Sequence, residues 1–402
     1  MRARPVSGRR SEHVSALTGR RVVHLTSDGN RLGPVLGSYV RACLGEGMEV
    51  VVVSDGGPFA GPLVAGGARH VALRHPTPVP AAGQGVRSTP ELTRTLRRIG
   101  PDVVHTHDTA IGLPGRIAAR FAGVPAVVHT VRGLGGAGSP LRRARSCAAE
   151  RLAAAWTGLE LVERPADLAL LARMGVPPDR LAALPTGVDL ERFRPQRTVA
   201  DVGRARAALG VDPSAVVAGS VASSWGRDAW RDLDAAAARM RGHGTGVVFV
   251  MVGRQDPTAQ LPARAPGTAR RGHVVLTGWR DDVPDLHAGF DLFVAPVDGT
   301  ALPRPALEAM ASGLPLVAVD DPVGRSVVEH GVNGLLVRRH DAGALAAAIA
   351  DLAGDPARRG TMGARARARA VAEFDDRRTV GTALDAYRRL LDAPPRVPPS
   401  GP

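Results

Sequence analysis

Residues 297–318 read VDGTALPRPALEAMASGLPLVA, and the fold follows from how they are read. An apolar strand ends there, a short Gly/Pro turn follows, and a helix is predicted to start near Pro303 to Pro305. Gly313 stops that helix, and a second apolar strand runs from Leu316 to Val319. Proline in the first helical turn and glycine just past the last is the expected asymmetry of a helix. Such a unit sets free backbone N–H groups and a positive helix end beside the carboxyl end of a strand, where phosphate binds well. Glu308 lies one turn further in, and its carboxylate can accept hydrogen bonds from two neighbouring hydroxyls, as on a ribose.

The same alternation extends outward in both directions. Upstream, apolar strands are predicted at Val216 to Val221, Val247 to Val252, Val274 to Thr277 and Leu292 to Pro296, and downstream at Leu335 to Val337. Nearer the start, Arg21-Val-Val-His-Leu-Thr-Ser runs into a loop holding Gly29 and Gly33, with Pro34 placed to begin a helix through roughly Leu44. Strand Glu49 to Val53, a Gly/Pro-rich span over 55–90, helix 90–99, strand Asp102 to His105, helix 111–122 and strand Ala126 to Thr130 follow. Residues 140–175 read as helix, short strand, helix. Short apolar strands alternating with helices argue for parallel α/β sheets. Residues 1–19 are basic and without periodicity, and 393–402 are rich in proline, so both are expected to be disordered tails.

Composition narrows the function. The 402 residues suffice for two domains with a core each, built from Ala, Val and Leu because aromatics are only 3%. No apolar run spans a bilayer and the first twenty residues lack a signal-peptide core, while Cys43 and Cys147 make a disulfide framework unexpected. A reducing cytoplasm is the expected location. The net charge of +14 comes from arginine alone, scattered over helix faces without accompanying aromatic strands. That pattern excludes nucleic acid as the expected partner and leaves anionic ligands or membrane surfaces. The GxGxxG fingerprint of dinucleotide enzymes is absent, and no His/Asp spacing suggests a metal, so neither cofactor nor metal is expected.

The segment TALPRPALEAMASGLP resembles the donor-site signature of the retaining glycosyltransferase family 4, which reads E-G-L-P-R-x-x-L-E-A-M-A-x-G-x-P. Leu184-Pro-Thr-Gly-Val-Asp-Leu-Glu-Arg-Phe-Arg-Pro is similar to the family's hinge, I-P-N-G-V-D-x-x-x-F-x-P. The stretches PDVVHTHDTAIGLPGRIAARFAGVPAVVHTVRG and VVLTGWRDDVPDLHAGFDLFVAPV extend the likeness over roughly residues 20–392. The resemblance implies a GT-B fold: two Rossmann-like α/β domains with parallel sheets facing across a cleft. Residues 20–195 would form the N-terminal acceptor domain and 196–375 the nucleotide-sugar domain, with a helix over 376–392 crossing back to the first. It also implies a nucleotide-sugar donor, UDP-linked by family habit, and a small-molecule or lipid acceptor.

Four positions depart from the family's pattern. Thr300 stands where the first of two glutamates would touch the donor sugar, and Glu308 matches the second. Ser220 and Trp225 replace the usual Arg and Lys on the pyrophosphate, so Arg227 or Arg231, together with Arg304, becomes the candidate cation. Arg132 occupies the usual histidine position, where it cannot be a general base but can bind a phosphate or an acidic acceptor. Gly33 resembles the glycine that approaches the donor diphosphate from the opposite domain, and Ala301 and Leu302 complete the donor loop. His105, His107 and His129 read equally well as strand-end packing or as catalytic groups.

The family's retention is described as front-face substitution, in which the leaving phosphate helps deprotonate the acceptor, so no protein nucleophile is obligatory. Retaining transfer to an unknown acceptor is therefore the expected activity. Two alternatives stay open: a catalytically silent accessory subunit, suggested by the four altered positions, and a nucleotide-sugar epimerase. Ser139 to Trp156, basic on part of its surface, reads either as a helix packed on its own domain or as one lying against the inner face of an anionic membrane.

Overall fold

The computed structural model describes residues 15–27, 29–55, 59–73, 88–134, 140–195, 198–225, 227–241, 246–255, 269–271, 273–295 and 304–393. Two compact units result, the first from Met1–Leu134, Leu141–Leu184 and Val380–Pro402, the second mainly from Pro185–Thr379.

The first unit runs β1 (Arg21–Leu25), α1 (Gly29–Gly45), β2 (Glu49–Ser54), α2 (Ala60–Ala65), β3 (Arg69–Ala72), α3 (Thr89–Ile99) and β4 (Val103–Thr106). It continues through α4 (Thr109–Ala122), β5 (Ala126–Val131), α5 (Pro140–Ala154), β6 (Leu159–Val162), α6 (Pro165–Arg173) and β7 (Leu181–Ala183). Its sheet is parallel throughout, in the order β3-β2-β1-β4-β5-β6-β7. Strands covered on both faces need unbroken apolar runs, which is why β2 reads Glu-Val-Val-Val-Val-Ser and β5 is buried at every position. In α3, Leu92, Leu96 and Ile99 fall on one face and are buried, and Gly100 ends the helix at φ 62°. Helix α1 starts at Gly29 instead of Pro34, so Gly33 lies in its second turn; Pro34 withdraws one N–H from the helix without stopping it.

The second unit runs α7 (Val199–Leu209), β8 (Val216–Trp225), α8 (Arg227–Arg241), β9 (Val247–Gln255), β10 (Ala269–Arg271), β11 (Val274–Gly278), α9 (Val283–Leu286) and β12 (Leu292–Ala295). Then come α10 (Arg304–Ala311), β13 (Leu316–Val319), α11 (Pro322–Val327), β14 (Gly334–Val337), α12 (Ala342–Gly354), α13 (Pro356–Glu373) and α14 (Asp376–Asp392). The strand order is β10-β11-β9-β8-β12-β13-β14, parallel except for β10. One core layer packs α10 and α13 residues such as Leu307, Met310 and Ala366 against Val217, Val250 and Phe293. The opposite layer holds Leu233, Ala237, Ile349 and Leu352.

The segment by which the chain enters this unit lies beside the one by which it leaves. Val188 pairs with Asp375, and Thr379 donates its hydroxyl to the Pro185 carbonyl at 2.7 Å. Gly187 is obligatory there, because a Cβ would overlap the Asp376 backbone. From Val380 onward α14 belongs to the first unit, where Val380, Ala383, Leu384 and Tyr387 join the core.

Candidate functional site

In the second unit, β12 leads through residues outside the described ones to α10. Arg304 opens that helix and Glu308 follows one turn later, so both leave it on one side. Arg304 Nη1 donates to the Gly187 carbonyl at 3.3 Å. Burial pushes the Glu308 carboxyl up, against the opposing charges of Arg304 and Arg192. Arg192, from the hinge segment, also donates to the Asp281 carbonyl at 3.4 Å. Arg192 is a cation that the sequence reading missed, although it lies inside the quoted hinge motif.

Behind Glu308 the helix is held by a polar chain. Its carbonyl accepts from the Ser312 N–H and from the Ser312 hydroxyl, both at 2.9 Å, and Ser312 Oγ lies 2.9 Å from His287 Nδ1. Arg367 donates to the carbonyls of Ala311 and Phe193 at 2.7 and 2.9 Å, closing the end of the same helix. Gly313, at φ 75°, then turns the chain into β13.

The other expected donor residues fare differently. Thr300, Ala301 and Leu302 lie outside the described residues. Gly33 is in α1 and Arg227 is the first residue of α8, and for both the structure describes the backbone alone. Ser220 is fully internal, its hydroxyl bonded to the Val294 carbonyl of β12, so it has become part of the sheet. Arg231 lines a surface groove of about 580 Å³ together with Arg239, Arg338, Arg339 and His340.

In the first unit, Arg132 follows the last residue of β5. Its Nε donates to the His107 carbonyl at 3.1 Å and its Nη1 pairs with Glu163. Nη2 is buried and has no hydrogen-bond partner among the described residues. The three histidines of the sequence reading go to the core. His105 spans Tyr387 Oη at 2.6 Å and Thr130 Oγ1 at 2.7 Å, and His129 Nδ1 meets Thr106 Oγ1 at 2.7 Å. His107 Nε2 and His24 Nδ1 are 2.9 Å apart and share one proton. Burial lowers all four, His24 and His129 to about 3, so they are neutral imidazoles.

Folding also gathers ligand-type groups that spacing did not reveal. Ring nitrogens of His24, His105 and His107 lie within 4.8 Å of one another, as do groups of His129, Glu150 and Glu160. In the first set both nitrogens of His105 and the His24–His107 pair are engaged in the hydrogen bonds just described, while His107 Nδ1 has no partner among the described residues. In the second, Arg116 Nη1 sits between the carboxylates, 2.6 Å from Glu150 and 2.9 Å from Glu160, where a metal would have to be. Neither donor set fits a metal without dismantling its present partners.

Two family models match the chain: "Glycosyl transferase 4-like domain" over residues 32–187 and "Glycosyl transferases group 1" over 212–355. A D-inositol 3-phosphate glycosyltransferase of Catenulispora acidiphila is 31% identical over 314 residues, covering 72% of this chain and 73% of that protein. This chain belongs to glycosyltransferase family 4. The glycosyltransferase is also 29% identical, over 64% of its length and 67% of the relative's, to the UDP-Gal:alpha-D-GlcNAc-diphosphoundecaprenol alpha-1,3-galactosyltransferase of Escherichia coli. Its fold is GT-B, similar to Anabaena Alr3699/HepE solved with UDP and glucose, at a TM-score of 0.72, 19% identity and coverage of 91% and 99% of the two chains. No helix among its described residues is long and apolar enough to cross a membrane.

Proposed function

We propose that this glycosyltransferase takes a UDP-linked sugar and transfers it, with retention of configuration, to an acceptor that carries phosphate. The observation that carries the donor half is the pairing of Arg304 and Glu308 on the first turns of α10. An ionised Glu308 accepts hydrogen bonds from the two ribose hydroxyls. Arg304 and the positive end of α10 face the charge that grows on the departing diphosphate, with Arg227 as a further cation from α8. Stabilising that leaving group lets the phosphate oxygen take the acceptor proton on the same face of the sugar, which conserves the anomeric configuration. Neutral, hydrogen-bonded core histidines suit a reaction that asks for no imidazole base.

The acceptor half rests on Arg132. Its Nη2, without a partner among the described residues and beside two arms already held by Glu163 and the His107 carbonyl, is preorganised for one anionic oxygen. The acceptors named for the two relatives, a diphosphoundecaprenol-linked sugar and inositol 3-phosphate, both bear phosphate. A lipid-linked acceptor would bring the protein to a membrane surface, where α5 offers Arg151 beside the exposed Leu152.

Calorimetry with UDP, GDP and ADP sugars tests the donor, and proton NMR of the fresh product tests retention. Glu308→Gln should weaken UDP binding about tenfold, as expected for a lost hydrogen bond to a charged group. Arg132→Leu should raise KM for a phosphate-bearing acceptor while leaving slow donor hydrolysis intact. Inverted product, or an acceptor KM indifferent to Arg132, would sink the respective part.

A further inference from the structure

His287 has no place in the sequence signature, yet it is 2% exposed and holds one end of the Glu308 helix. It begins a short helical turn, His287–Gly289, ahead of β12, among the rings of Phe193, Phe290 and Phe293. Its contacts assign one consistent set of protons. With the single Ser312 hydroxyl proton on the Glu308 carbonyl at 2.9 Å, Ser312 Oγ accepts from His287 Nδ1–H, also at 2.9 Å. That network assigns His287 the Nδ1–H tautomer. Its Nε2 keeps a bare lone pair, buried and without a partner among the described residues. A buried acceptor left unmet is a cost, and a phenylalanine or leucine would fill the same apolar pocket without it. What the imidazole adds there is the directed N–H.

We infer that His287 is a positioning residue for donor binding, fixing through Ser312 the peptide of Glu308 and with it the line along which the carboxylate leaves α10. The inference rests on the reading that Glu308 binds the donor nucleoside. In an eight-residue helix, Arg304–Ala311, even a small rotation about the axis carries the Glu308 carboxylate away from two fixed hydroxyls. Arg367 holds the neighbouring Ala311 carbonyl, so the polar chain from His287 acts one turn nearer to the functional group.

The test titrates UDP into the native protein and into the variants Glu308→Gln, His287→Leu, His287→Asn and Ser312→Ala, with Tm and steady-state kinetics on each. His287→Leu and Ser312→Ala should weaken UDP by about 3–10-fold and raise donor KM alike, with kcat within about twofold, the scale of one ordinary hydrogen bond. His287→Asn puts an amide N–H where Nδ1–H was, and should restore UDP affinity to within about twofold. It also empties the ring's space, so its Tm should fall at least as far as that of His287→Leu. Affinity that simply follows Tm through the series makes His287 a packing residue and overturns the assignment. Native-like UDP binding by His287→Leu, with binding lost in Glu308→Gln, overturns it while sparing the donor reading. Unchanged binding in Glu308→Gln removes the donor reading itself, and the inference with it.

Discussion

Acidification from pH 7.5 to 5.5 should destabilise the first unit by about 3 kcal/mol and the second by about half as much. The reason is the distribution of buried imidazoles: His24, His105, His107 and His129 in the first unit, and among the described residues only His287 in the second. Burial holds all of them below the ordinary histidine value, His24, His129 and His287 to about 3. A lowered folded value means that the unfolded chain takes up protons which the native state refuses. Stability is then complete above pH 6.5 and is lost as the pH falls from there toward 3. At pH 5.5 an unfolded imidazole is about nine-tenths protonated, so each neutral buried histidine costs about 1.4 kcal/mol. Four give about 6 kcal/mol; the proton that buried Glu160 takes up over the same interval returns about 2–3 kcal/mol, so the first unit loses about 3 kcal/mol net and the second, with one buried histidine, about 1.4 kcal/mol. Hydrogen exchange read by mass spectrometry, corrected for the intrinsic pH dependence of exchange, resolves the two. Protection of peptides from β1, β4 and β5 should fall about a hundredfold by pH 5.5, and that of peptides from β9 and β13 about tenfold. Full protection of β4 and β5 down to pH 4.5 would refute the reasoning, since those strands carry the buried histidines.

Other expectations concern charge and close packing. Glu150 and Glu160 share Arg116, and burial pushes Glu160 up to about 8, so the native cluster keeps a proton that the unfolded chain releases above pH 4.5. Glu160→Gln should therefore raise first-unit stability by about 1–3 kcal/mol at pH 7.5 in urea titrations and, by removing the contribution that grows as the pH falls from 8 toward 4.5, steepen the loss on acidification. Arg116→Met strands buried carboxylates and should cost about 3–5 kcal/mol in the same assay. Gly187→Ala drives a methyl group into the Asp376 backbone and should cost about 1–3 kcal/mol, seen as a lower Tm of the second unit.

Much of the architecture is legible in the sequence because the central strands are apolar on both faces and the helices are punctuated. The helix predicted from near Pro303 to Pro305 starts at Arg304, and Gly313 ends it in the left-handed region. The elements missed are short or polar. β3 reads Arg-His-Val-Ala and β10 reads Ala-Arg-Arg, and each is a strand because a neighbour pairs with it at a sheet edge. β8 and β9 outrun their apolar stretches, to Trp225 and Gln255, for the same reason. Within the site, Arg304 and Glu308 announce themselves by spacing on one helix. Arg192 sits in a motif that reads as a hinge, and His287 lies in a quoted stretch of family likeness that gives it no role, since its partner Ser312 is 25 positions away.

The sequence alone determines two parallel α/β units, their family, and the helix that carries Arg304 and Glu308. Those are local properties: hydrophobic period, proline and glycine at helix ends, a contiguous motif. Tertiary structure alone decides which polar groups are used up inside. Parallel register sets His24 beside His105 and Thr106 beside His129. Helix α14 returns Tyr387 to His105 across 282 positions. Whether an imidazole is a base or a neutral core hydrogen bond depends on those neighbours and on the water they exclude, and neither is written in the residues next to it in the chain.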